Sequence, residues 1–519
     1  MIEFILNDQD ISTDVPAGMT VLDFVRYRQD LKGTKIGCRE GDCGACTILV
    51  GEPVSDRVRY RSMTSCLMPI ANAAGKHIVT IEGINPSDGS LTPVQQALID
   101  ESGTQCGFCT VGFVMSLTSF CLDNLNSPTL RDGAASPEEA AVSAIDGNIC
   151  RCTGYKSIER AADRICKILS EPPTGVPAAV SARGVAKSAG GQFADGLVPL
   201  YFRKIADRLT RKQANSRPPE GGTPNMIVGG GTDVYVQRPD AMVESGASHV
   251  FYDDALRGIR ELGDKIEIGA SATVTDLLES PLMHSIFPDL YKHLKLISST
   301  PIRNMATLAG NFINASPIGD MTVWFLALDS EIELSSAERA SSPTVREAAT
   351  RTIKLRNLYL GYKQLTRSPG EYITTVLFKK PKGSHYFNFE KVSKRTYLDI
   401  ATVNTAISLT VDHLPGPGWI PPVLAEPDVQ ARGPKIDYFI TNASVAAGGV
   451  APIPLYLKET SSFLIGRRVD RDTIEKAAKI IDAEISPISD VRGTEEYKRL
   501  LLRQLFRAHF FELFGDSAI

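Results

Sequence analysis

The chain has 519 residues, 43% of them hydrophobic and 22% charged, so it is neither disordered nor fibrous and divides into roughly three or four domains of ordinary size. Its 56 basic and 60 acidic residues leave a net charge of −4, which gives no electrostatic footprint for nucleic acid or an anionic membrane. Ten cysteines are too few for a disulfide scaffold of this length, and all ten lie between Cys38 and Cys166. Such clustering reads as metal binding.

Met1–Asp8 looks like a strand running into a turn, without the basic start and long apolar core of a signal peptide. Residues 1–88 carry short β-type runs at Glu3–Leu6, Thr47–Val50 and His77–Ile81, with Val21–Arg28 as the first helix. Residues 89–170 read as helical: Thr92-Pro93 makes a helix start, with Val94, Ala97 and Leu98 on one face. Within them Ser102–Leu122 is free of charge, but its cysteines, glycines and hydroxyls argue against a membrane span. A polar stretch, Asp123–Ser136, interrupts this segment. Residues 171–194, rich in Pro, Gly, Ala and Ser, read as an interdomain linker. Residues 195–382 mix strands and helices; Arg208–Pro224 is basic but lacks aromatics, so it reads as a solvated loop. Residues 383–519 end in an amphipathic stretch, Glu495–Phe514, and no repeat of fixed period occurs. The expected compartment is the cytoplasm, where reducing conditions keep thiolate ligands free.

The first cysteine set is Cys38-x4-Cys43-x2-Cys46, with Cys66 further on. This is the spacing of a plant-type 2Fe–2S loop, whose fourth ligand comes from elsewhere in the fold. Four thiolates around two irons are anionic and need backbone N–H groups aimed at sulfur. Gly37, Gly41 and Gly44 permit the tight, partly left-handed loop that turns those groups inward. The alternative is a tetrahedral zinc site, although zinc favours paired C-x2-C knuckles. The second set is Cys106-x2-Cys109 and Cys150-x-Cys152. Cys109 precedes an apolar-periodic run (Phe113, Val114, Leu117, Cys121) and Cys152 another (Ile158, Ala161, Ala162, Ile165, Leu169). Both pairs would then sit at helix N-termini, which favour an anionic cluster, with zinc again the alternative. Cys121 and Cys166 fall on the apolar faces and read as buried core thiols.

Ile227-Val228-Gly229-Gly230-Gly231-Thr232-Asp233 follows a strand-like run, and a triple-glycine turn can cradle a pyrophosphate. It is not a G-x-G-x-x-G fingerprint, and alone it is a plain turn. Thr300–Asp320 is dense in small and hydrogen-bonding residues, the kind of surface that hugs a ligand; a long polar loop is its plainer reading.

Cys38–Thr47, Gln105–Thr110 and Gly147–Tyr155 resemble the iron–sulfur signatures of the xanthine dehydrogenase family. Gly229–Asp233 and Ala309–Asp320 resemble its FAD segments, and Ser486–Tyr497 its flavoprotein C-terminal domain. The resemblance covers nearly the whole chain and is nearest to the small subunit of two-subunit bacterial members. It implies an α+β multidomain fold: a β-grasp 2Fe–2S ferredoxin domain (1–88), a helical-bundle 2Fe–2S domain (89–170), an α+β FAD-binding domain (195–382) and a flavoprotein C-terminal domain (383–519). It implies Cys38, Cys43, Cys46, Cys66, Cys106, Cys109, Cys150 and Cys152 as ligands of two 2Fe–2S clusters. FAD would be held by Val228, Gly229, Gly230, Gly231, Thr232, Asp233, Thr307, Gly310, Asn311, Asn314, Ser316 and Asp320, with Lys458 as a further contact. The family commonly has proline where this chain has Val111, which implies a changed helix start and an intact cluster.

The resemblance also implies a function. Hypoxanthine is oxidised to xanthine and xanthine to urate at a molybdopterin cofactor on a partner large subunit, in a dimer of heterodimers. This chain carries no catalytic residue for the purine and conducts electrons through the clusters to FAD and then NAD. An aldehyde, nicotinate, carbon monoxide or aromatic-CoA hydroxylase would keep the same wiring. A non-catalytic zinc-stabilised interaction protein is the alternative of another class, and metal content separates the two.

Overall fold

In the computed structural model, the described residues are 1–55, 57–126, 136–170, 196–213, 226–336, 350–415 and 436–515. The expected linker at 171–194 lies outside them, as do most of the polar stretch after Asn126 and the basic stretch after Gln213.

The first unit is a five-stranded sheet in the order Gln9–Thr13, Ile2–Leu6, His77–Val79, Thr47–Val54, Arg57–Thr64, with one parallel pairing, Ile2–Leu6 against His77–Val79. Alternating apolar residues give it a buried face, and the helix Val21–Tyr27 lays Val21, Leu22, Phe24 and Val25 into it. Thr20 caps that helix by accepting from the Asp23 N–H at 3.1 Å. The crossing helix and mixed sheet are the β-grasp arrangement.

Four helices follow: Pro93–Asp100, Thr110–Asn126, Pro137–Ala144 and Lys156–Ser170. The first begins where the sequence places it, with a reciprocal capping box between Thr92 and Gln95, and it buries Val94, Ala97 and Leu98. The charge-free stretch has a structural cause. From Phe113 to Leu122 the second helix is buried throughout, packed against strands Thr47–Val54 and Arg57–Thr64 as well as its neighbouring helices. Among the described residues no helix is long and apolar enough to cross a membrane.

Residues 196–213 depart from the sequence reading, which gives them to the flavin domain. Leu197, Val198, Phe202, Ile205 and Leu209 pack into the core shared by the first two units. Phe202 stacks 5.3 Å from both Tyr60 and His77, and the Tyr201 hydroxyl donates to the Gly83 carbonyl at 2.8 Å. Arg208, expected in a solvated loop, lies in the helix Ile205–Gln213 and pairs with Asp8 at 2.7 Å.

The third unit is an antiparallel sheet ordered Arg351–Lys354, Glu331–Ser336, Glu371–Lys379, Lys265–Gly269, Ile259–Leu262, covered by short helices. The last unit pairs Ser384–Val392, Val403–Pro415, Ile436–Gly448 and Leu455–Tyr456 and backs them with helices Lys458–Leu464, Arg471–Glu484 and Glu495–Phe514. Trp324, fully buried, joins the two by packing 4.6 Å from both Phe287 and Phe387.

Charge pairs fasten the iron–sulfur half to the flavin half. Arg61 reaches Asp276 at 3.0 Å and Glu279 at 2.8 Å, and Arg257 meets Glu52 at 2.5 Å. Asp146, just before the second cysteine loop, is bound by Arg303 at 2.6 Å and Lys295 at 3.1 Å, with the Arg303 and Asp146 side chains 2% and 4% exposed. Burial pushes the Asp146 carboxyl up, but Arg303, Lys295 and the Thr300 N–H outweigh it and hold the group below 3.8. Asp276 and Glu52 are likewise raised by burial and lowered further by Arg61, and by Lys76 with Arg257, to below 3.8 and 4.5.

A depressed folded pKa contributes stability that is complete above the unfolded value and is lost as pH falls through the folded one. The two halves should therefore part in acid below these ordinary values, read as new proteolysis between them. Arg303→Met leaves the buried Asp146 carboxylate to Lys295 and the Thr300 N–H alone, and should cost up to about 3 kcal/mol in denaturant unfolding.

Candidate functional site

Gly41 and Gly44 of the first cysteine loop have φ of 75° and 68°, and Arg39 has 58°, the left-handed bends expected of an inward-turned loop. Gly37 serves differently: a Cβ there would lie 2.6 Å from the Cys43 sulfur. The N–H groups of Glu40 and Cys43 donate to Cys38 Sγ at 3.3 and 3.4 Å. Arg39 clamps the loop to the first helix through both oxygens of Asp23, at 3.1 and 2.6 Å. The Cys38 thiol, partnered by Cys43 and met by these N–H groups, is held down at about 5 against the pull of burial. Cys46 and Cys66 pair with each other and are buried, 2% and 4% exposed.

In the second set Cys106 and Cys152 face one another with sulfurs 3.7 Å apart, and Cys109 partners Cys150. Burial and Cys150 together push the Cys109 thiol up to about 12. The Cys150 N–H donates to the Tyr155 hydroxyl at 3.0 Å, and its sulfur lies 3.2 Å from Thr153 Oγ1. The helix Thr110–Asn126 starts directly after Cys109 with Val111 as its second residue, while Lys156–Ser170 starts only after the turn Thr153–Tyr155. Cys106 and Cys152 are exposed, as are Phe108 and Tyr155 beside them. Cys121 and Cys166 are buried.

The thiols thus meet in pairs. No group of three or more His, Cys, Asp or Glu that could hold a single metal ion occurs among the described residues. A two-iron cluster takes two cysteines on each iron, so four paired pairs are the donor set that two such clusters need.

The two flavin segments wall a cavity of about 1010 Å³. Thr232, Asp233, Thr307, Asn311, Asn314, Ser316 and Asp320 line it, together with Glu40, Gly41 and Asp42 of the first cysteine loop. Val228, Gly229, Gly230, Gly231 and Gly310 do not line it; Gly230 instead packs against the neighbouring segment, where a Cβ would lie 1.8 Å from the Met305 carbonyl oxygen. Thr307 caps the helix Leu308–Asn314 by accepting from the Gly310 N–H at 3.2 Å, and Asn314 Nδ2 donates to Asp233 at 2.7 Å, which ties the two segments together. Space for a dinucleotide and walls of small polar residues fit FAD.

Other side chains differ from the sequence reading. Lys458 is exposed at the start of its helix and does not line the cavity. Lys363 and Lys498 line it instead, and behind the wall Lys391, its side chain 1% exposed, bridges Asp320 at 2.7 Å and the Leu296 carbonyl at 2.8 Å. Asn404 takes the other Asp320 oxygen at 2.5 Å. The last unit also lines the cavity with Arg395, Ile400 and Arg492. Arg492 falls within the Ser486–Tyr497 motif, whereas Lys391, Arg395, Ile400 and Asn404 carry no local pattern, because chain closure brings them to the cavity from far along the sequence.

Four families match the chain in order: "2Fe-2S iron-sulfur cluster binding domain" at 4–71, "[2Fe-2S] binding domain" at 80–163, "FAD binding domain in molybdopterin dehydrogenase" at 212–378 and "CO dehydrogenase flavoprotein C-terminal domain" at 430–513. The chain belongs to the iron–sulfur/flavin proteins of the molybdenum hydroxylase family. Xanthine dehydrogenase 1 of Arabidopsis thaliana is 26% identical over 96% of this chain and 38% of its own length. Xanthine dehydrogenase of Emericella nidulans is 28% identical over 99% of this chain and 39% of its own. The molybdenum hydroxylase module described here therefore spans about two fifths of those relatives. A reconstituted CO dehydrogenase from Oligotropha carboxidovorans matches in structure with a TM-score of 0.45 at 25% identity, over 55% of this chain and 87% of that one.

Replacing Lys391 by Met removes a buried cation from Asp320. It should lower the flavin retained per purified chain while both sets of cysteines keep their iron.

Proposed function

We propose that this chain is the electron-transfer small subunit of a xanthine dehydrogenase. Electrons would enter from a molybdopterin-binding large subunit that oxidises hypoxanthine and xanthine, and would leave at a flavin that reduces NAD. One observation carries the reading. The chain presents a cysteine set with two exposed thiols, Cys106 and Cys152, then a set with none exposed, two half-buried and two buried, then a flavin-sized cavity bordered by the loop of that second set. That order, from surface to cavity, is a conductor's order.

When bound, iron–sulfur clusters exchange single electrons and a flavin converts them into hydride transfer. The chain's own residues supply everything around that chemistry. The eight cysteines provide thiolates, and N–H groups of Glu40 and Cys43 stabilise negative charge on Cys38. Burial of Cys46 and Cys66 keeps water from that half of the inner set, while Cys38 and Cys43 are half-buried. Cys106, Cys152, Phe108 and Tyr155 offer the exposed face at which a large subunit would dock. Asp320, fixed by Lys391 and Asn404, holds the cavity wall in one orientation.

The names of the relatives support xanthine as substrate, NAD as acceptor is what the sequence resemblance implies, and a reducing cytoplasm suits ten free cysteines. The match to a CO dehydrogenase flavoprotein domain favours the second reading, in which the same module serves another molybdenum hydroxylase.

The complex that copurifies with the chain from its native cells should form NADH with hypoxanthine or xanthine and not with an aldehyde. A flavin-containing complex inert to purines would transfer the assignment to another hydroxylase. The chain should hold about four irons, two for each set of four cysteines. Cys43→Ser should lose about half of that iron and leave the flavin in place, whereas zinc in place of iron would overturn the redox reading.

A further inference from the structure

The two cysteine loops, far apart in sequence, meet with no side chain between them. The Ile149 N–H donates to the Cys43 carbonyl at 3.0 Å. Beside that bond Asn148, 5% exposed, donates Nδ2 to the Gly44 carbonyl at 3.1 Å, and its Oδ1 accepts from Ser116 Oγ at 2.8 Å. Glycines make this approach possible. A Cβ on Gly112 would lie 2.2 Å from the Gly44 carbonyl oxygen and 2.7 Å from Asn148 Nδ2, and one on Gly44 would lie 2.3 Å from the Gly147 oxygen. The opposing atoms are backbone or already hydrogen-bonded, so none can swing aside. Gly112 stands inside the helix Thr110–Asn126, where glycine costs about 1 kcal/mol relative to alanine. Helix formation gives no reason for it; the neighbouring loop does.

We propose that Gly112 and Asn148 are positioning residues that hold the Cys43–Ile149 hydrogen bond as the route for a single electron between the two cysteine sets. The inference rests on the reading that those sets hold 2Fe–2S clusters. From Cys43 Sγ the path runs through that residue's own backbone, across one hydrogen bond, and along Ile149 to Cys150 Sγ. Electronic coupling falls steeply across empty or solvent-filled gaps, so a bonded route with one hydrogen bond carries more than a wider separation. One electron leaves a reduced cluster of the helical unit and enters an oxidised cluster of the ferredoxin unit; no bond forms and no proton moves.

Gly112→Ala forces the loops apart. Asn148→Asp keeps the Ser116 contact but sets a carboxylate oxygen against the Gly44 carbonyl. The test uses the complete complex, with iron content, the two paramagnetic signals of the reduced clusters, their mutual magnetic splitting, and the rate of intramolecular electron transfer after rapid reduction. Both variants should keep their iron and both signals, yet lose the splitting and slow the transfer. Wild-type splitting and rate in iron-loaded variants would overturn the proposal. If Gly112→Ala costs the chain its iron, Asn148→Asp decides between the same two results. A wild-type complex without iron would instead overturn the cluster reading on which the proposal stands.

Discussion

Residues Asp146 to Ile149 touch the ferredoxin loop, the central helix Thr110–Asn126 and the flavin unit. Asp146 is locked by Arg303 and Lys295 of the flavin unit, and a Cβ on Gly147 would collide with Pro301 and Ser299 of the same unit. Asn148 ties Gly44 of the ferredoxin loop to Ser116 of the central helix, and Ile149 bonds the Cys43 carbonyl. Cys150 comes next. The spacing of the two cysteine sets and their relation to the flavin cavity hang on this one short, glycine-lined contact. Glycines line it because nothing larger fits there.

Two kinds of force hold the units around that contact. Apolar burial is shared across boundaries: Val228, Tyr235, Met242, Phe251 and Met305 of the flavin unit sit in the same cluster as the ferredoxin helix. Buried charge pairs add specificity of register, since Arg61 and Arg303 each satisfy carboxylates presented by another unit. A displaced interface would leave those carboxylates without a cation, which is far more costly than exposing a methyl group. The same logic operates in the flavin cavity, where Lys391 and Asn404 from the last unit orient Asp320.

The parts of the site that were legible were those written in local spacing. The Cys38-x4-Cys43 interval brings its two sulfurs together within one loop, so there the residue interval translates directly into geometry. Thr92-Pro93 likewise announced a helix start because capping is satisfied within one turn. Gly37 showed the limit even there: its sequence position is that of a turn glycine, but its constraint is the Cys43 sulfur against it.

The sequence by itself determined the four-part composition of the chain, the two cysteine sets and the glycine-rich flavin segments, because each is encoded over a few consecutive residues. Tertiary structure alone decided which thiols pair, that residues 196–213 return to the iron–sulfur core, and that Lys391 holds Asp320 while Lys458 lies away from the cavity. It also decided why Gly112 is glycine. Those outcomes depend on contacts between segments many tens of residues apart. Packing and desolvation select such contacts only after the whole chain has closed, and no local pattern of residue types records them.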